Sequence, residues 1–264
     1  MNEDPRLIAF ERLLNIMDDL RSGCPWDKKQ TMESLRYLTI EETYELSDAI
    51  IKGDDQEIKK ELGDLMLHLV FYSKIGSEHQ TFDITDVLNG ICEKLIHRHP
   101  HIYSDVIVAN DEDVKANWEK IKLTEKNGNR TVLAGVPKSL PAMVKACRIQ
   151  EKARGVGFDW ENSQQVFEKV EEELREFKNA VSLNDKPEIE AEFGDLLFSL
   201  VNYSRFIDVN PEDALERTNV KFIERFHHIE KRAKEIEKSI EELSLEEMDF
   251  YWNEYKTLKR DSTN

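Results

Sequence analysis

The feature that most restricts how this chain can fold is an internal duplication. Glu41-Glu42-Thr43-Tyr44-Glu45, followed by Glu61-Leu62-Gly63-Asp64-Leu65, returns as Glu172-Glu173-Leu174-Arg175-Glu176, followed by Glu192-Phe193-Gly194-Asp195-Leu196. All five acidic positions recur at a single offset of 131 residues. Further along, Lys94 and Arg98 match Lys221 and Arg225 at an offset of 127, and NWEKIK around Trp118 echoes YWNEYK around Trp252 at 134. So long a period does not suit a solenoid; it suits two related domains of ordinary size in tandem. Turn chemistry concentrates in NGNRTVLAGVPKSLP, where Asn-Gly and two prolines interrupt any continued helix. The chain is accordingly read as an N-terminal helical domain over 1–126, a linker over 127–141 and a C-terminal helical domain over 142–264.

Local signals within each copy are helical. Residues 34–51 are rich in Leu, Glu, Tyr and Ala, with apolar spacings of three and four, and stop at Gly53-Asp54-Asp55. A second helix is predicted over about 56–76, and its middle, LMLHLVFY, is apolar on nearly all sides, which predicts burial inside a bundle. Helices are also predicted over 83–98, stopped by Pro100, and over 111–126. In the second half Asn210 before Pro211-Glu212 reads as a helix cap, and Ser244-x-x-Glu247 as a capping box. With no run of alternating strand character, the expected fold class is all-α, a pair of helical bundles.

Composition excludes several function classes. The balance of 37 basic against 54 acidic side chains, a formal charge of −17, argues against a general nucleic-acid binder, which needs a basic face. The longest mostly apolar stretch, Leu65 to Tyr72, is interrupted by His68 and far too short for a membrane span. The N-terminal MNEDPRLIAF has neither the basic nor the apolar region of a secretory signal, so the cytoplasm is the expected location. Cys24, Cys92 and Cys147 are odd in number and widely spaced, which writes neither a disulfide framework nor a zinc site.

A single Glu-Glu-x-x-Glu is weak evidence: with 54 acidic residues in 264, three fixed acidic positions recur by chance about twice. Repetition of the whole arrangement, with Glu-x-x-Asp following 16 residues after the third Glu in both halves, is a different matter. Helical spacing puts Glu42 with Glu45 and Glu61 with Asp64 on one face each, and likewise Glu173 with Glu176 and Glu192 with Asp195. The short Gly53 turn makes the two helices antiparallel neighbours, and Gly63 is expected to let their axes approach. Four carboxylates so placed repel and desolvate one another, and a captured cation is the simplest remedy. Oxygen-only ligands favour Mg²⁺, with Mn²⁺ as a substitute. Glu171 and Glu190 flank the second constellation without counterparts in the first and are read as surface charges. The paired cations Lys94 and Arg98, and Lys221 and Arg225, sit four apart on helices and suit phosphate oxygens, so a polyanionic ligand is implied. Trp118 and Trp252, like Trp26 and Trp160, are more often core than base platforms, and His97, His99 and His101 around Pro100 read as cap or surface residues.

These residues resemble the MazG family of nucleoside triphosphate pyrophosphohydrolases, within the all-α NTP pyrophosphatase group. CPWDKKQT, LTIEETYEL, ELGDLMLHLVFYS, HRHPHIY, GFDW, EFGDLLFSLVN and KFIERF are similar to MazG segments in MazG order, tandem duplication included, over nearly the whole chain. The resemblance implies hydrolysis of a nucleoside triphosphate to monophosphate and diphosphate, Mg²⁺ dependence, broad base tolerance, control or cleansing of nucleotide pools, and a homodimer. It implies metal ligation by Glu173, Glu176, Glu192 and Asp195, with Glu42, Glu45, Glu61 and Asp64 as counterparts, and nucleotide contacts from Lys169, Lys221, Arg225 and Trp252. Lys94, Arg98 and Trp118 stand at the matching places of the first copy, but Lys169 is matched by Leu38, which weakens that copy's nucleotide site. Glu172 or Glu173 is the candidate proton acceptor, with Glu176 the third glutamate of the reacting group, and the second copy carries more weight. Two alternatives stay open: a narrower pyrophosphohydrolase of the dUTP or phosphoribosyl-ATP type, and a nonenzymatic helical regulator.

Overall fold

The computed structural model describes residues 4–110, 113, 114, 117, 118, 121 and 131–261, the side chains of 260 and 261 excepted. Every regular element among the described residues is helical. The chain divides into two compact units, Met1–Ile121 and Lys122–Asn264. The first contains α1 (Pro5–Gly23), α2 (Met32–Lys52), α3 (Asp55–Glu78), α4 (Ile84–Arg98) and the single turn α5 (Pro100–Tyr103). The second contains α6 (Ala142–Arg154), α7 (Ser163–Leu183), α8 (Lys186–Phe206), α9 (Pro211–Glu235) and α10 (Leu245–Asp261).

Helix ends follow from side-chain capping, which satisfies backbone N–H groups that have no partner in the first turn. Asp4 accepts from the Arg6 N–H ahead of Pro5, starting a helix α1 that the spacing signals did not mark. Thr31 and Ser34 cap α2 reciprocally, and Asp54 accepts from the N–H groups of Gln56 and Glu57 to start α3. Between them Gly53 takes the left-handed conformation, φ 69°. In the second unit the same turn is built with Asn184 at φ 57°, and Asp185 then caps α8. Glycine and asparagine are the residues that tolerate this backbone, so two different residues produce one hairpin geometry. Asn210 caps α9, and Ser244 and Glu247 exchange hydrogen bonds at the start of α10, both as their spacing predicts. The predicted helix over 111–126 falls largely outside the described residues, although 113, 114, 117, 118 and 121 are helical. Residues 127–130 also lie outside them; from Thr131 onward the segment forms a 3-10 turn, Val132–Gly135.

Met17 of α1, Leu35 of α2, and Val70, Phe71 and Ile75 of α3 form the core of the first unit. In the second, Ile229 and Ala233 of α9 pack with Leu243, Tyr251 and Trp252, while Val166, Val170, Ala180 and Val201 are buried along α7 and α8. The LMLHLVFY segment is buried only in part. His68, Val70 and Phe71 are enclosed, but Met66 and Leu69 remain 43% and 52% exposed, because α1 and α2 flank α3 and leave its opposite side open. The expectation for Gly63 is also corrected. A Cβ there, or at Gly194, would meet nothing within 4 Å, since both glycines face away from the partner helix. The glycine that does govern packing is Gly76, where a Cβ would lie 2.8 Å from the Phe82 ring and its carbonyl oxygen. Gly76→Ala is therefore expected to destabilise the first unit by about 1–3 kcal/mol, seen as a lower urea midpoint in circular dichroism.

Candidate active site: two carboxylate clusters

Each cluster is assembled by one helical hairpin. In the first unit, Glu42 and Glu45 project from α2 and Glu61 from α3, each offering an oxygen such that all three lie within 4.8 Å of one another. Glu61 is 2% exposed, and its Oε2 has no hydrogen-bond partner. Its Oε1 accepts from Lys60 Nζ at 2.8 Å. Burial and the neighbouring charges of Asp64, Glu45 and Glu61 raise the pKa of Glu42 above the ordinary glutamate range. Asp64 stands outside the close trio, its side chain one methylene shorter, but its field reaches both Glu42 and, one turn further on, the buried His68. Burial lowers the His68 pKa, so that ring stays neutral beside the acids.

The second unit repeats the trio with Glu173 and Glu176 of α7 and Glu192 of α8, again within 4.8 Å. Glu173 is 7% exposed, and Glu192 Oε2 is a second buried carboxylate oxygen without a hydrogen-bond partner. Burial first, then the charges of Glu176, Glu188, Glu173 and Asp195, raise the Glu192 pKa. Asp195 is exposed and, like Asp64, outside the close trio. Lys169, one turn before Glu173, places Nζ 2.7 Å from Glu173 Oε1 and 2.9 Å from Glu172 Oε1, and these two acids raise its own pKa. A cleft of about 430 Å³ adjoins it, lined by Asp159, Trp160, Glu161, Gln165, Glu168, Lys169 and Glu172. Trp160 thus borders a cleft rather than sitting in a core.

The remaining sequence-predicted residues lie on other helices. Lys221 and Arg225 are successive turns of α9, and the Arg225 guanidinium sits 5.1 Å from the ring centroid of Trp252 on α10, a cation–π contact. Trp252 also meets Phe222 edge-on at 5.1 Å, so it is both a packing residue and a platform. In the first unit Lys94 is exposed on α4 and Arg98 lies one turn later. Trp118 meets the His99 ring edge-on at 5.0 Å, and His99 itself bridges α4 and α5, its Nδ1 2.7 Å from the Leu95 carbonyl. The structure therefore joins Lys169 directly to the acidic cluster, and it joins Arg225 of α9, one turn after Lys221, to Trp252 of α10. Sequence reasoning missed Lys52 and Lys60. Both border the first cluster, in a cleft of about 210 Å³ shared with Glu45, Asp48, Ala49, Glu57 and Glu61. The available signal was a basic residue adjacent to Glu61 where the second copy has Ala191.

Two all-helical units, each bringing three acid oxygens together on one hairpin, define a tandem helical-bundle protein with a doubled carboxylate cluster. The MazG nucleotide pyrophosphohydrolase domain model matches residues 30–103 and 161–230, more than half of the chain and both acidic hairpins. A nucleoside triphosphate pyrophosphohydrolase/pyrophosphatase MazG of Thermotoga maritima is 46% identical, over 94% of this chain and 96% of its own length. A nucleoside triphosphate pyrophosphohydrolase of Escherichia coli K12 is 39% identical over 94% of this chain and 97% of its own. The YabN protein of Bacillus subtilis is 48% identical over 96% of this chain, which spans 53% of that longer protein. The chain belongs to the MazG nucleotide pyrophosphohydrolase family.

The raised carboxyls set a pH signature. A proton on Glu42 or Glu192 stabilises the folded, cation-free chain fully below the ordinary glutamate range, and this contribution is lost as pH rises through the elevated value. Cation-free protein is expected to melt higher near pH 5 than near pH 7 where these groups dominate. Glu42→Gln and Glu192→Gln should each raise the neutral-pH midpoint and flatten that difference, as differential scanning calorimetry would show.

Proposed function

We propose that the chain hydrolyses nucleoside triphosphates to the monophosphate and diphosphate with Mg²⁺, tolerating many bases, in control or cleansing of cytoplasmic nucleotide pools. The observation that carries this reading is the doubled trio of carboxylates, each with a buried oxygen that no protein group satisfies, Glu61 Oε2 and Glu192 Oε2. An all-oxygen donor set of this kind fits a hard cation and not zinc, with Mn²⁺ as a substitute. Glu173, Glu176 and Glu192, with Asp195 beside them, would hold it in the second unit, and Glu42, Glu45 and Glu61, with Asp64, in the first. When bound, the ion supplies charge neutralisation at phosphoryl oxygens and acidifies water.

The chain's own groups divide the remaining work. Lys169 is placed to move from its two glutamates onto phosphate oxygens and offset charge gathering there. Glu172 lies outside the trio and lines the cleft with Lys169, which suits it to take the proton from water as the oxygen–phosphorus bond forms and the bridging P–O bond breaks. Both acids contact Lys169, but Glu173 is committed to the trio. Lys221 and Arg225 would meet the outer phosphates, with Trp252 beside the nucleoside, and Lys94, Arg98 and Trp118 would do so less completely in the first unit.

A homodimer is part of the proposal. Leu62, Met66 and Leu69 on α3 are matched at the 131 offset by Phe193, Leu197 and Leu200 on α8, and all six are 43–52% exposed. On α4 and α9, exposed Leu88, Leu95 and Ile96 are matched at 127 by Leu215, Phe222 and Ile223. Apolar rows left open at the same places in both copies favour a second chain as their cover. Among the described residues no helix is long and apolar enough to cross a membrane.

Purified protein should release diphosphate from a panel of nucleotides only with Mg²⁺ or Mn²⁺. Glu173→Gln and Glu176→Gln should each lower the rate by about 100-fold or more, with Glu42→Gln and Glu45→Gln measured separately to apportion activity between units. Cleavage of a single nucleotide would instead identify a narrow enzyme, and no release at all would favour the regulator. Mg²⁺ at about a hundred times its dissociation constant should add about 2.7 kcal/mol of stability for each occupied trio, abolished by combined substitution of both trios. Light scattering should return twice 30.9 kDa.

A further inference from the structure

The two copies differ in where positive charge meets the carboxylate cluster. In the second unit the cation comes from the first helix of the hairpin, Lys169, on the side of the trio away from the interhelical turn. The corresponding position of the first unit is Leu38. There the cations stand on the turn side instead. Lys52 ends α2, and Lys60, on α3, contacts Glu61 at 2.8 Å and Glu57 at 3.7 Å. At the same offset the second unit has Leu183 and Ala191, so the two lysines are absent where Lys169 is present.

A lysine beside an exposed acid is ordinarily a surface ion pair of little consequence. Three observations set this one apart. Its partner Glu61 is 2% exposed, with the second oxygen unsatisfied. Lys60 itself is 59% exposed and able to turn toward an incoming anion. Lys52 and Lys60 share one cleft with Glu45 and Glu61, so two members of the trio and both cations face the same space. That cleft also holds Asp48 and Glu57, and its four acids outnumber its two lysines. A bare polyphosphate would be repelled; one that arrives with a divalent cation meets oxygen donors for the metal and ammonium groups for the phosphates.

We propose that the first unit binds the phosphate chain of a metal-complexed polyphosphate, either diphosphate or a nucleoside polyphosphate, through Lys60 and Lys52 beside the Gly53 turn. The phosphates then run from the trio toward the turn, opposite to the direction Lys169 dictates in the second unit, and the phosphate role that Lys94 and Arg98 would hold as counterparts of Lys221 and Arg225 falls to Lys60 and Lys52. Leu38 is no defect in this arrangement, because the counter-charge has moved to the turn side of the trio, to the end of α2 and onto α3. The inference rests on the cation-binding reading of the trios given above.

The test uses the full chain carrying Glu173→Gln and Glu176→Gln, titrated calorimetrically with diphosphate or ATP, with and without Mg²⁺. Binding is expected only with Mg²⁺. It should weaken about tenfold or more on Lys52→Ala with Lys60→Ala, recover substantially with Lys60→Arg in place of Lys60→Ala, and disappear when Glu42→Gln and Glu45→Gln are added. Tighter binding of diphosphate identifies the product as the ligand, and tighter binding of ATP the nucleotide. Lys60→Gln with an unchanged circular dichroism melt guards against loss of fold. Absence of Mg²⁺-dependent binding, or binding indifferent to both lysines, overturns the inference while leaving diphosphate release by the native chain intact. Failure of the native chain to release diphosphate overturns the functional reading, and the titration still decides the lysine site.

Discussion

Mutual repulsion among carboxylates is the constraint around which both units are organised. Each hairpin holds three glutamates with an oxygen apiece within 4.8 Å of one another, and in each trio one oxygen is buried with no donor opposite it. Such an arrangement is unfavourable for a fold in isolation, since each buried charge is desolvated beside others of the same sign. The elevated pKa values of Glu42 and Glu192 are the direct expression of that cost. What fixes the acids in place is ordinary helical packing: Leu35, Val70 and Phe71 in one unit, and Val166, Val170 and Val201 in the other, hold the hairpins while the acids project beside them. Stability is thereby given up locally at the position where charge is needed, a pattern common to functional sites.

Duplication has preserved the acids while redistributing their partners. The trios are superposable in sequence, down to the left-handed turn residue that is Gly53 in one copy and Asn184 in the other. The cations are not. Lys169 approaches Glu173 from one turn earlier on α7, whereas Lys60 approaches Glu61 from the adjacent position on α3. Both solutions put an ammonium within 2.8 Å of the most buried carboxylate, so the electrostatic requirement is met twice by different residues. Divergence of this kind keeps the acid trio in both copies while moving the positive charge from one side of it to the other.

The open apolar rows belong to the same logic. A two-helix hairpin has too little surface to enclose both its own core and an acidic cluster, so one side of α3 and α8 is left for another element to cover. Covering that side would also remove water from the vicinity of the carboxylates and strengthen every charge interaction there. Cover on that side would thus act on the electrostatics of the site through the same helices.

The sequence by itself determined the all-helical class, the duplication, the hairpins that carry the acids and the caps at Asn210 and Ser244, because these rest on short-range periodicity and on side chains bonding to nearby backbone. It also singled out the trio residues, since a spacing of three or four on a helix places them on one face before any packing is known. Three things depended on tertiary structure. One was the division within each acidic set, with the glutamates converging and Asp64 and Asp195 standing aside, which follows from side-chain reach across two packed helices. Another was that Gly63 faces open space while Gly76 meets Phe82, a distinction of direction around the helix axis that composition does not carry. The last was the meeting of Lys52 and Lys60 in one cleft with Glu45 and Glu61: spacing puts Lys52 on the face of Glu45 and Lys60 next to Glu61, but the two pairs face each other only when the Gly53 turn folds α3 back along α2.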